Sequence, residues 1–537
     1  MDASPALVLT SLVVAASLSW CEPEPELPAG GTSACPTCWR SSLYPEDWTP
    51  DYTDGQGRFL HDFSYAGYRG GVMPLPAVDG PMFSVLERGA DPTGAQDSTK
   101  AIQDTIDAAG IAGGGVVYLP RGLYRCDGLL AVTASGVILR GDGPEATRLV
   151  FTKVAGMSGR AHLEFRGALR LSGERPLAMD GESRSTQIRL ADTAGLAPGQ
   201  ELAIGWTITD AFVSDHGMEG TWVTFNGQWK SFFSREIVDV TGDTVELDVP
   251  LRYAALRRDG ASVKLEQGYL SECGVEELSL SNAADSVEAW AEHRVHVLAL
   301  RGVKDCFVRR VKSFPSPFAE DGRHLQNGGI YILDSKRVTV ADCVMERAQN
   351  RGEVGDGYLF ELSRSDEILV RDCVARAGRH GFIQNWDFGT SGCVFLRTTS
   401  EDGRAFFDRL DPIGQLGCSE FHHSLAMANL IDDSTVDDCW GAVNRNDYSS
   451  GAGHSATESV FWRMQGAGRV DSFQAGLGYV IGAGEDVNVR TDLDILDPIS
   501  HRARATAPED FTEGLGAGKR LLPRSLYDDQ LLRRLAR

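Results

Sequence analysis

The chain lacks an apolar run long enough to cross a bilayer, and it is poor in positive charge. Its N-terminal apolar stretch, residues 6–18, is shorter than the roughly 20 residues that a membrane-spanning helix needs. Lys and Arg number 52 against 75 Asp and Glu, which gives a formal net charge of −23. This charge argues against nucleic acid and anionic membranes as partners. It would also repel a polyanionic sugar unless a local basic patch or Ca²⁺ intervenes.

Cysteine is scarce, with 11 residues, and the count is odd. Cys35 and Cys38 have C-x-x-C spacing, but no second pair lies nearby, so a zinc site is not indicated. A small disulfide in an exported segment is the better interpretation, and two free thiols are the alternative.

The N-terminus has the pattern of an export signal, which predicts a signal peptide over residues 1–20. Cys21 follows directly, so a lipid anchor on this cysteine is an alternative, although Trp20 is unusual before a lipidation site. A disordered apolar N-terminus is the third interpretation. We therefore expect an extracellular protein, or one exported and attached to the cell surface. The oligomeric state is open.

Residues 83–151 set the expected architecture. Asp97 or Ser98 can cap a helix whose apolar face includes Ile102 and Ile106, and Gly110 is placed to end it. Three consecutive glycines, 113–115, then break the chain before short β-branched strands. A helix followed by short strands at turn spacing is typical of a β-solenoid whose first coil is covered by the helix.

The same stretch closely resembles the N-terminal signature of the pectate-lyase superfamily, in particular its pectate lyase 3 and rhamnogalacturonase–epimerase-like branch. The matching segments are Gly89-Ala90-Asp91, Asp97-Ser98-Thr99, Ala101-Ile102-Gln103 and Gly114–Pro120 with Gly122 and Tyr124. The resemblance implies an all-β fold, a right-handed single-stranded parallel β-helix with an N-terminal capping helix. It leaves the reaction open, because the superfamily holds lyases, hydrolases, epimerases and phage depolymerases.

The rest of the chain divides into segments that differ in their pattern of apolar and polar residues. Residues 165–263 alternate between apolar and polar positions around polar turns and are dense in aromatic residues, which predicts an inserted antiparallel β subdomain. The expected division is a linker over 21–60, the first part of the β-helix over 61–164, the insertion over 165–263, the main β-helix over 264–490 and a C-terminal tail over 491–537.

Four repeats after residue 300 share one register. In this register Cys306, Val338, Ile368 and Cys393 occupy one position, and Val311, Cys343, Cys373 and Thr398 occupy another. Like residues that stack from coil to coil form interior ladders, so the repeats predict that these cysteines are buried thiols and neither ligands nor nucleophiles.

Residues that the ladders do not explain cluster between 379 and 458. A β-helix brings equivalent faces of successive coils together, so these side chains can converge in a groove. The candidate catalytic residues are Asp387, Asp433, His422, His454 and Arg445. The candidate substrate-binding residues are His380, Glu420, Glu458, Trp386, Trp222 and Trp229. The loop at Glu320–His324 is the next place to search, and no metal ligands are assigned.

Part of this set loosely resembles the polygalacturonase branch of the β-helix hydrolases. The similar segments are Asn385-Trp386-Asp387, Asp432-Asp433 and Gly453-His454, but the Arg-x-Lys of that branch has no counterpart. Paired carboxylates would suit glycoside hydrolysis. A Lys, Arg or His beside a bound uronate would suit β-elimination, with Ca²⁺ as a cofactor if the protein is a uronate lyase.

The sequence thus favours an exported enzyme that cleaves a pectin-like or other uronate-containing polysaccharide, by β-elimination or by hydrolysis. The alternatives are a carbohydrate-binding surface protein without activity and an adhesive or structural β-helix. The clustered titratable residues favour the enzyme.

Overall fold

Short runs of Val, Ile and Leu between polar turns form strands that stack in three parallel columns. The computed structural model describes residues 37–77, 80–352, 354–384, 386–405, 415–491 and 509–537. The predicted signal peptide, Cys21 and Cys35 lie outside these residues, whereas Cys38 is disulfide-bonded. Within the described chain, Trp39–Arg537 form one compact unit, to which the following description refers.

Each column is a ladder of parallel strands. The first column contains Met82–Ser84, Gly115–Tyr118, Val137–Arg140, Gly274–Ser281, Val303–Ser313, Lys336–Ala341, Leu369–Arg371, Val394–Leu396, Leu430–Asp432, Val460–Trp462, Tyr479–Ile481 and Phe511–Glu513, with Leu270–Ser271 beside Val303–Ser313. The second contains Gly122–Cys126, Thr147–Phe151, the ends of Gly274–Ser281 and Val303–Ser313, Val344–Glu346, Val374–Arg376, Thr399–Glu401 and Thr435–Val436.

The third column, which we call the groove sheet, has ten strands. They are Leu130–Val132, Ala161–Arg166, His296–Arg301, Gly328–Leu333, Tyr358–Ser363, His380–Gln384, Ser419–Phe421, Cys439–Ala442, Arg469–Ser472 and Asn488–Arg490. Coils that pass through three parallel columns form a parallel β-helix, so the predicted fold class is confirmed.

The interior ladders follow the predicted register. Cys306 pairs with Val338, and the neighbouring pairs Thr339 with Leu369 and Leu369 with Val394 place Ile368 and Cys393 in the same row. The second predicted row contains Val311, Cys343, Cys373 and Thr398. The residues that follow these four along the chain pair with one another, Lys312 with Val344, Val344 with Val374 and Val374 with Thr399, so the second row is aligned as well. All the predicted ladder cysteines are fully buried and free, in one apolar core that runs through the coils.

The helix Thr99–Ile111 lies against the start of this core. Its buried side chains include Ile102, Ile106 and Ala109, as the apolar spacing predicts, and they join the cluster of the first coils. Ser98 is the N-cap residue, while the Asp97 carboxylate accepts a hydrogen bond from the Thr99 backbone N–H.

An antiparallel sheet interrupts the β-helix after the Ala161–Arg166 strand. Its strands are Arg170–Pro176, Gln187–Arg189, Glu201–Thr207, Trp229–Thr241, Thr244–Leu247 and Ser262–Gln267. The aromatic core of this insertion continues into the β-helix through Phe388 and Met427. Arg252 is fully buried at the junction, where it pairs with Glu367 at 2.9 Å and donates to the Asp62 carbonyl. A buried charge requires such partners, so the insertion is fixed on the coils.

Both ends of the described chain pack on the outside of the first column. Leu43, Tyr44 and Trp48 are buried there, beside the helix Leu526–Leu535, in one apolar cluster. Residues 39–60, which the composition suggested to be a linker, are therefore part of the folded unit. The predicted C-terminal tail likewise contains a strand of the first column and this packed helix.

The remaining elements are short. The other helices are Asp210–Asp215, Val287–Ala291 and the single turn Tyr448–Gly451. The 3₁₀ turns are Tyr68–Gly71, Val85–Arg88, Arg257–Asp259 and Gly518–Arg520. Three short strand pairs remain: Trp39–Arg40 with Leu521–Leu522, Arg404–Ala405 with Gln415–Leu416, and Ala426–Met427 with Ala456–Thr457. Across the described ranges, no helix has the length and apolarity to span a bilayer.

Candidate active site

One outward-facing row of the groove sheet carries most of its charge. Side chains alternate across a strand, so when Leu298, Ile330 and Phe360 face the core, every second residue faces outward. Register partners form this row, which we call the polar row. It consists of Glu164, Ala299, Tyr331, Glu361, Ile383, Glu420, Gly441, Asp471 and Arg490.

Every carboxylate of the polar row is paired with an arginine. The pairs are Glu164 with Arg301 at 2.8 Å, Glu361 with Arg294 at 3.1 Å, Glu420 with Arg445 at 2.8 Å and Asp471 with Arg490 at 2.7 Å. Successive carboxylates of the row are two or three strands apart, about 10–14 Å at a strand spacing of about 4.8 Å, and each has its own cation. The row is thus close to neutral, although the whole chain carries a charge of −23.

Four buried side chains and the half-buried Arg445 meet at the middle of the groove sheet, and we call them the His380 cluster. Tyr358 and His380 are register partners on adjacent strands, with ring centroids 4.9 Å apart. The His422 ring lies 5.4 Å from His380 and 6.0 Å from Tyr358. Glu420 contacts both histidines, and Arg445 donates to both of its oxygens at 2.8 Å.

The hydrogen bonds of His380 fix its tautomer. Its Nδ1 lies 2.5 Å from the carbonyl oxygen of Cys418, and a carbonyl can only accept, so Nδ1 carries the proton. Burial lowers the pKa of His380 to about 3, so the ring is neutral at ordinary pH. Nε2 therefore presents a lone pair. This atom is buried and has no hydrogen-bond partner among the described residues.

The Glu420 carboxylate is held ionised. Burial alone would raise its pKa, but Arg445, together with His380 and His422, holds the pKa well below its usual range. Burial, and then Arg445, lowers the pKa of His422, so a neutral His422 donates through Nδ1 to Glu420. Glu420 thus holds Arg445 and His422 in place and is unsuited to donate a proton.

The Tyr358 hydroxyl is a potential proton donor on the strand next to His380. Burial raises the pKa of its phenol, so the hydroxyl stays protonated. Arg379 and Arg445 act on it electrostatically against Glu361 and Glu420. The cluster thus combines a lone pair, a phenolic proton and the guanidinium group of Arg445.

The cluster also contains the residues that could hold a metal ion. Donor atoms of His380, Glu420 and His422 lie within 4.8 Å of one another. Two imidazoles and one carboxylate suit a transition metal better than Ca²⁺, which prefers oxygen ligands. Because Arg445 already occupies both oxygens of Glu420, the acid–base reading of the site uses no metal.

The structure brings together four of the eleven residues predicted from the sequence. These are His380, Glu420, His422 and Arg445, all within the His380 cluster. Trp386 and Asp387 lie instead beside the insertion. The half-buried Trp386 ring is 4.2 Å from His423, and Asp387 pairs with Lys230 at 2.8 Å. Asn385, the first residue of the Asn-x-Asp pattern, lies outside the described residues.

Asp433 and Glu458 were expected in the groove, and this was wrong. Asp433 pairs with Arg463 and Arg524, and the neighbouring Asp432 accepts hydrogen bonds at the start of the C-terminal helix. Glu458 pairs with His61 at 2.6 Å. Asp433 and Glu458 both occupy turn positions with positive φ and contact the terminal segments that cover the first column.

The remaining three candidates belong to the insertion or its junction. Trp222 is buried and donates to the Ala452 carbonyl, so it is not an exposed sugar platform. Trp229 is half-buried, and the ammonium of Lys264 lies 3.8 Å from its ring centre. His454 lines a separate cavity at the junction. In the loop at Glu320–His324, His324 is buried and hydrogen-bonded to Ser313 at 3.0 Å.

Sequence reasoning missed Tyr358 and the contribution of Cys418. Tyr358 lies one coil before His380, so extending the repeat register from the first column to the groove sheet could have found it. Cys418 forms a disulfide with Cys439, which ties two successive coils together beside the carbonyl that holds His380. No spacing in the sequence marked this pair.

Comparison with known proteins gives partial matches. Residues 82–173 match the family model described as rhamnogalacturonase A/epimerase, pectate lyase-like. Mannuronan C5-epimerase AlgE1 of Azotobacter vinelandii is 32% identical over 197 residues, which cover 30% of this chain and 14% of that protein. Alginate lyase 7 of the same organism is 54% identical over 46 residues, which cover 9% of this chain and 5% of that protein.

Among solved structures, the tailspike protein gp49 from Pseudomonas phage LKA1 matches with a TM-score of 0.50 at 14% identity. The match covers 76% of this chain and 64% of the tailspike. This likeness concerns the fold. Together with the family match, it confirms the resemblance to the pectate-lyase-like β-helix superfamily. The chain spans only 14% and 9% of the first two curated relatives.

Proposed function

We propose that this protein is a polysaccharide-modifying enzyme that removes the proton beside the carboxylate of a uronate residue in an alginate-type glycan. The observation that carries the proposal is the lone pair on the buried Nε2 of His380, a base with no partner of its own among the described residues. Tyr358 on the adjacent strand supplies the complementary acid.

The reaction begins with the C5–H bond of the uronate. Nε2 of His380 takes the proton, and the electron pair moves toward the carboxylate, where negative charge develops. Arg445 and Arg379 would stabilise that charge, since fixed cations lower the energy of a transition state in which charge appears. Glu420 keeps Arg445 oriented for this contact.

Two outcomes share this first step. In β-elimination the bond from C4 to the glycosidic oxygen breaks, a C4–C5 double bond forms, and Tyr358 protonates the leaving oxygen. In epimerisation Tyr358 returns a proton to C5 from the opposite face. General acid–base groups of this kind contribute about 10²–10⁴-fold each to the rate. The proposal is the shared proton abstraction.

Hydrolysis is the weaker reading of this cluster. It needs one protonated carboxyl group and one ionised carboxylate beside the glycosidic bond. Glu420 is held ionised by Arg445, and Glu361 is paired with Arg294 and His296. Neither is placed to be the acid.

The comparisons support a uronate substrate. The partial relatives are named for mannuronan epimerisation and alginate lysis, and mannuronan is a polymer of a uronate. The guanidinium groups around Tyr358 provide the local positive charge that a polyanion needs on a chain of charge −23. The disulfide between Cys418 and Cys439 suits an exported protein, which acts outside the cell or at its surface.

The test follows hydrogen at C5. Mannuronan is incubated with the protein in D₂O, and proton NMR measures deuterium incorporation, epimerisation and unsaturated ends in one sample. We expect deuterium at C5 or unsaturated uronate. His380→Asn and Tyr358→Phe should lower either signal about 10²-fold or more.

A matched control is the neighbouring buried histidine. Both ring nitrogens of His423 already have partners, Ser424 at 2.9 Å and the Ser449 carbonyl at 2.7 Å. His423→Gln keeps a donor for Ser449 and should retain activity. Release of reducing ends without unsaturation would favour a hydrolase, and binding without any chemical change would favour the carbohydrate-binding alternative.

A further inference from the structure

A cavity of about 420 Å³ lies where the insertion meets the β-helix. The helix Asp210–Asp215 and residues 253–259 line it on one side, and His454 and Ala475 line it on the other. The volume lies within the roughly 300–1,000 Å³ of small-molecule pockets. No residue of the His380 cluster contributes to its wall.

The charges on the cavity wall disfavour an anion. Arg258 pairs with Asp215 and, at 3.3 Å, with Asp259, so two carboxylates share one guanidinium. Burial lowers the pKa of His216, and burial, with His216 as a second cause, lowers the pKa of His454 to about 4. Both imidazoles are neutral at ordinary pH, which leaves the wall with one net negative charge.

The hydrogen bonds in the wall leave two polar atoms free for a further partner. His216 Nδ1 lies 2.7 Å from the Phe212 carbonyl and must donate to it, so its Nε2 accepts from the Tyr253 hydroxyl at 3.0 Å. The Tyr253 oxygen can then accept from a further group. His454 is only 5% exposed, and its Nδ1 is buried and has no partner among the described residues, so this atom is free to donate or to accept according to the tautomer.

Apolar surface accompanies these polar atoms. Phe212 and Tyr253 line the cavity, with the His216 ring between them at centroid distances of 4.4 and 6.1 Å. Aromatic faces with convergent hydrogen-bonding atoms suit a ring that has C–H groups on its faces and hydroxyls on its edge.

We propose that this cavity is a second carbohydrate site, which binds a neutral sugar ring through His454, Tyr253 and the aromatic wall. It is a site apart from the His380 cluster. It discriminates against uronates, because Arg258, the one guanidinium that the described residues place in its wall, is already shared by two carboxylates. Its occupant differs in charge from the polymer proposed for the groove.

Binding is measured on the whole protein by saturation-transfer NMR and calorimetry. The neutral probes are methyl α-D-mannopyranoside, methyl β-D-galactopyranoside and methyl β-D-glucopyranoside, and methyl β-D-glucuronide is the anionic probe. We expect at least one neutral glycoside to bind and the glucuronide to bind more weakly. Absence of binding by all three neutral probes, or stronger binding of the glucuronide, overturns the proposal.

Variants locate the binding in the cavity. His454→Leu removes the free ring nitrogen at similar volume, and Tyr253→Phe removes only the hydroxyl. Each should weaken the binding of the neutral glycoside about tenfold, as expected for the loss of one hydrogen bond. Tyr253→Phe keeps the aromatic ring and its packing. If this variant binds the neutral glycoside unchanged, the sugar is bound elsewhere and the assignment fails.

Discussion

Replacing His380 with Asn separates the roles of the two imidazole nitrogens. The Asn side-chain amide can take the place of Nδ1 and keep the donation to the Cys418 carbonyl. The substitution removes Nε2, the proposed base. Loss of a general base lowers turnover about 10²–10⁴-fold, which corresponds to about 3–5 kcal/mol of activation free energy.

The same substitution has a calculable effect on stability. Burial lowers the pKa of His380 to about 3, whereas an unfolded histidine has a pKa near 6.5. As the pH falls below about 6.5, the unfolded chain binds a proton that the folded chain rejects, so the wild type loses stability. At about pH 5 the loss is about 2 kcal/mol, at about 1.4 kcal/mol per unit. Asn does not titrate and avoids this loss.

Urea unfolding at about pH 7.5 and about pH 5 measures the effect. The free energy of unfolding of His380→Asn should rise by about 2 kcal/mol relative to the wild type between these two conditions. His423→Gln, which replaces a buried histidine with a pKa near 4, should give a similar shift but keep its activity. If His380→Asn keeps its turnover, His380 is not the base. If its relative stability is independent of pH, His380 is not a neutral buried ring.

Three further outcomes follow from the contacts. Replacing both Cys418 and Cys439 with Ser removes the disulfide, and we expect about 2–4 kcal/mol less stability by thermal unfolding, together with lower turnover because the carbonyl of Cys418 loses its support. Cys343→Ser should cost only about 1 kcal/mol in urea unfolding, since the Ala341 carbonyl, 3.2 Å from the sulfur, can accept from the new hydroxyl; a loss above about 3 kcal/mol would contradict this. Asp432→Ala should loosen the helix Leu526–Leu535 in hydrogen exchange, at a cost of about 1 kcal/mol, and leave turnover unchanged; equal exchange protection would refute the capping role.

Most of the fold could be predicted because a β-helix repeats itself. Cys306, Val338, Ile368 and Cys393 share a row because each coil fills the same interior position, and that constraint is visible in one sequence. The insertion was visible because its alternation differs from that of the coils. The packing of residues 39–60 was not, because a segment on the outside of a coil carries no repeat of its own.

The candidate site could be predicted only in part. His380, Glu420, His422 and Arg445 were found because polar residues inside a repeat contradict its apolar pattern. Asp433 contradicts the pattern equally, but its partners, Arg463 and Arg524, include one from the distant C-terminal segment. A sequence does not reveal which distant segment covers a turn, so structural ion pairs and catalytic groups look alike.

The two proposed sites are joined by one hairpin, and Gly453 tests that link. The Arg445 backbone N–H donates to the Gly453 carbonyl at 2.7 Å, and His454 follows directly. Gly453 has a φ of +61°, and a Cβ there would lie 2.4 Å from Trp222 Nε1 and 2.6 Å from Met218 Sδ. Gly453→Ala must therefore shift the hairpin away from the insertion, at a cost of about 2–4 kcal/mol from backbone strain and overpacking.

Such a shift moves Arg445 and His454 together. We expect Gly453→Ala to weaken both uronate turnover and neutral-glycoside binding, whereas His454→Leu weakens only the binding and His380→Asn only the turnover. Assays of all three variants at one temperature, below the unfolding transition of each, make the comparison. If folded Gly453→Ala keeps both properties, the hairpin tolerates the displacement and the two sites are independent. If it loses only one, the hairpin moves on that side alone, because the Arg445 side chain is held by Glu420 whereas the His454 backbone N–H donates to Met218 Sδ.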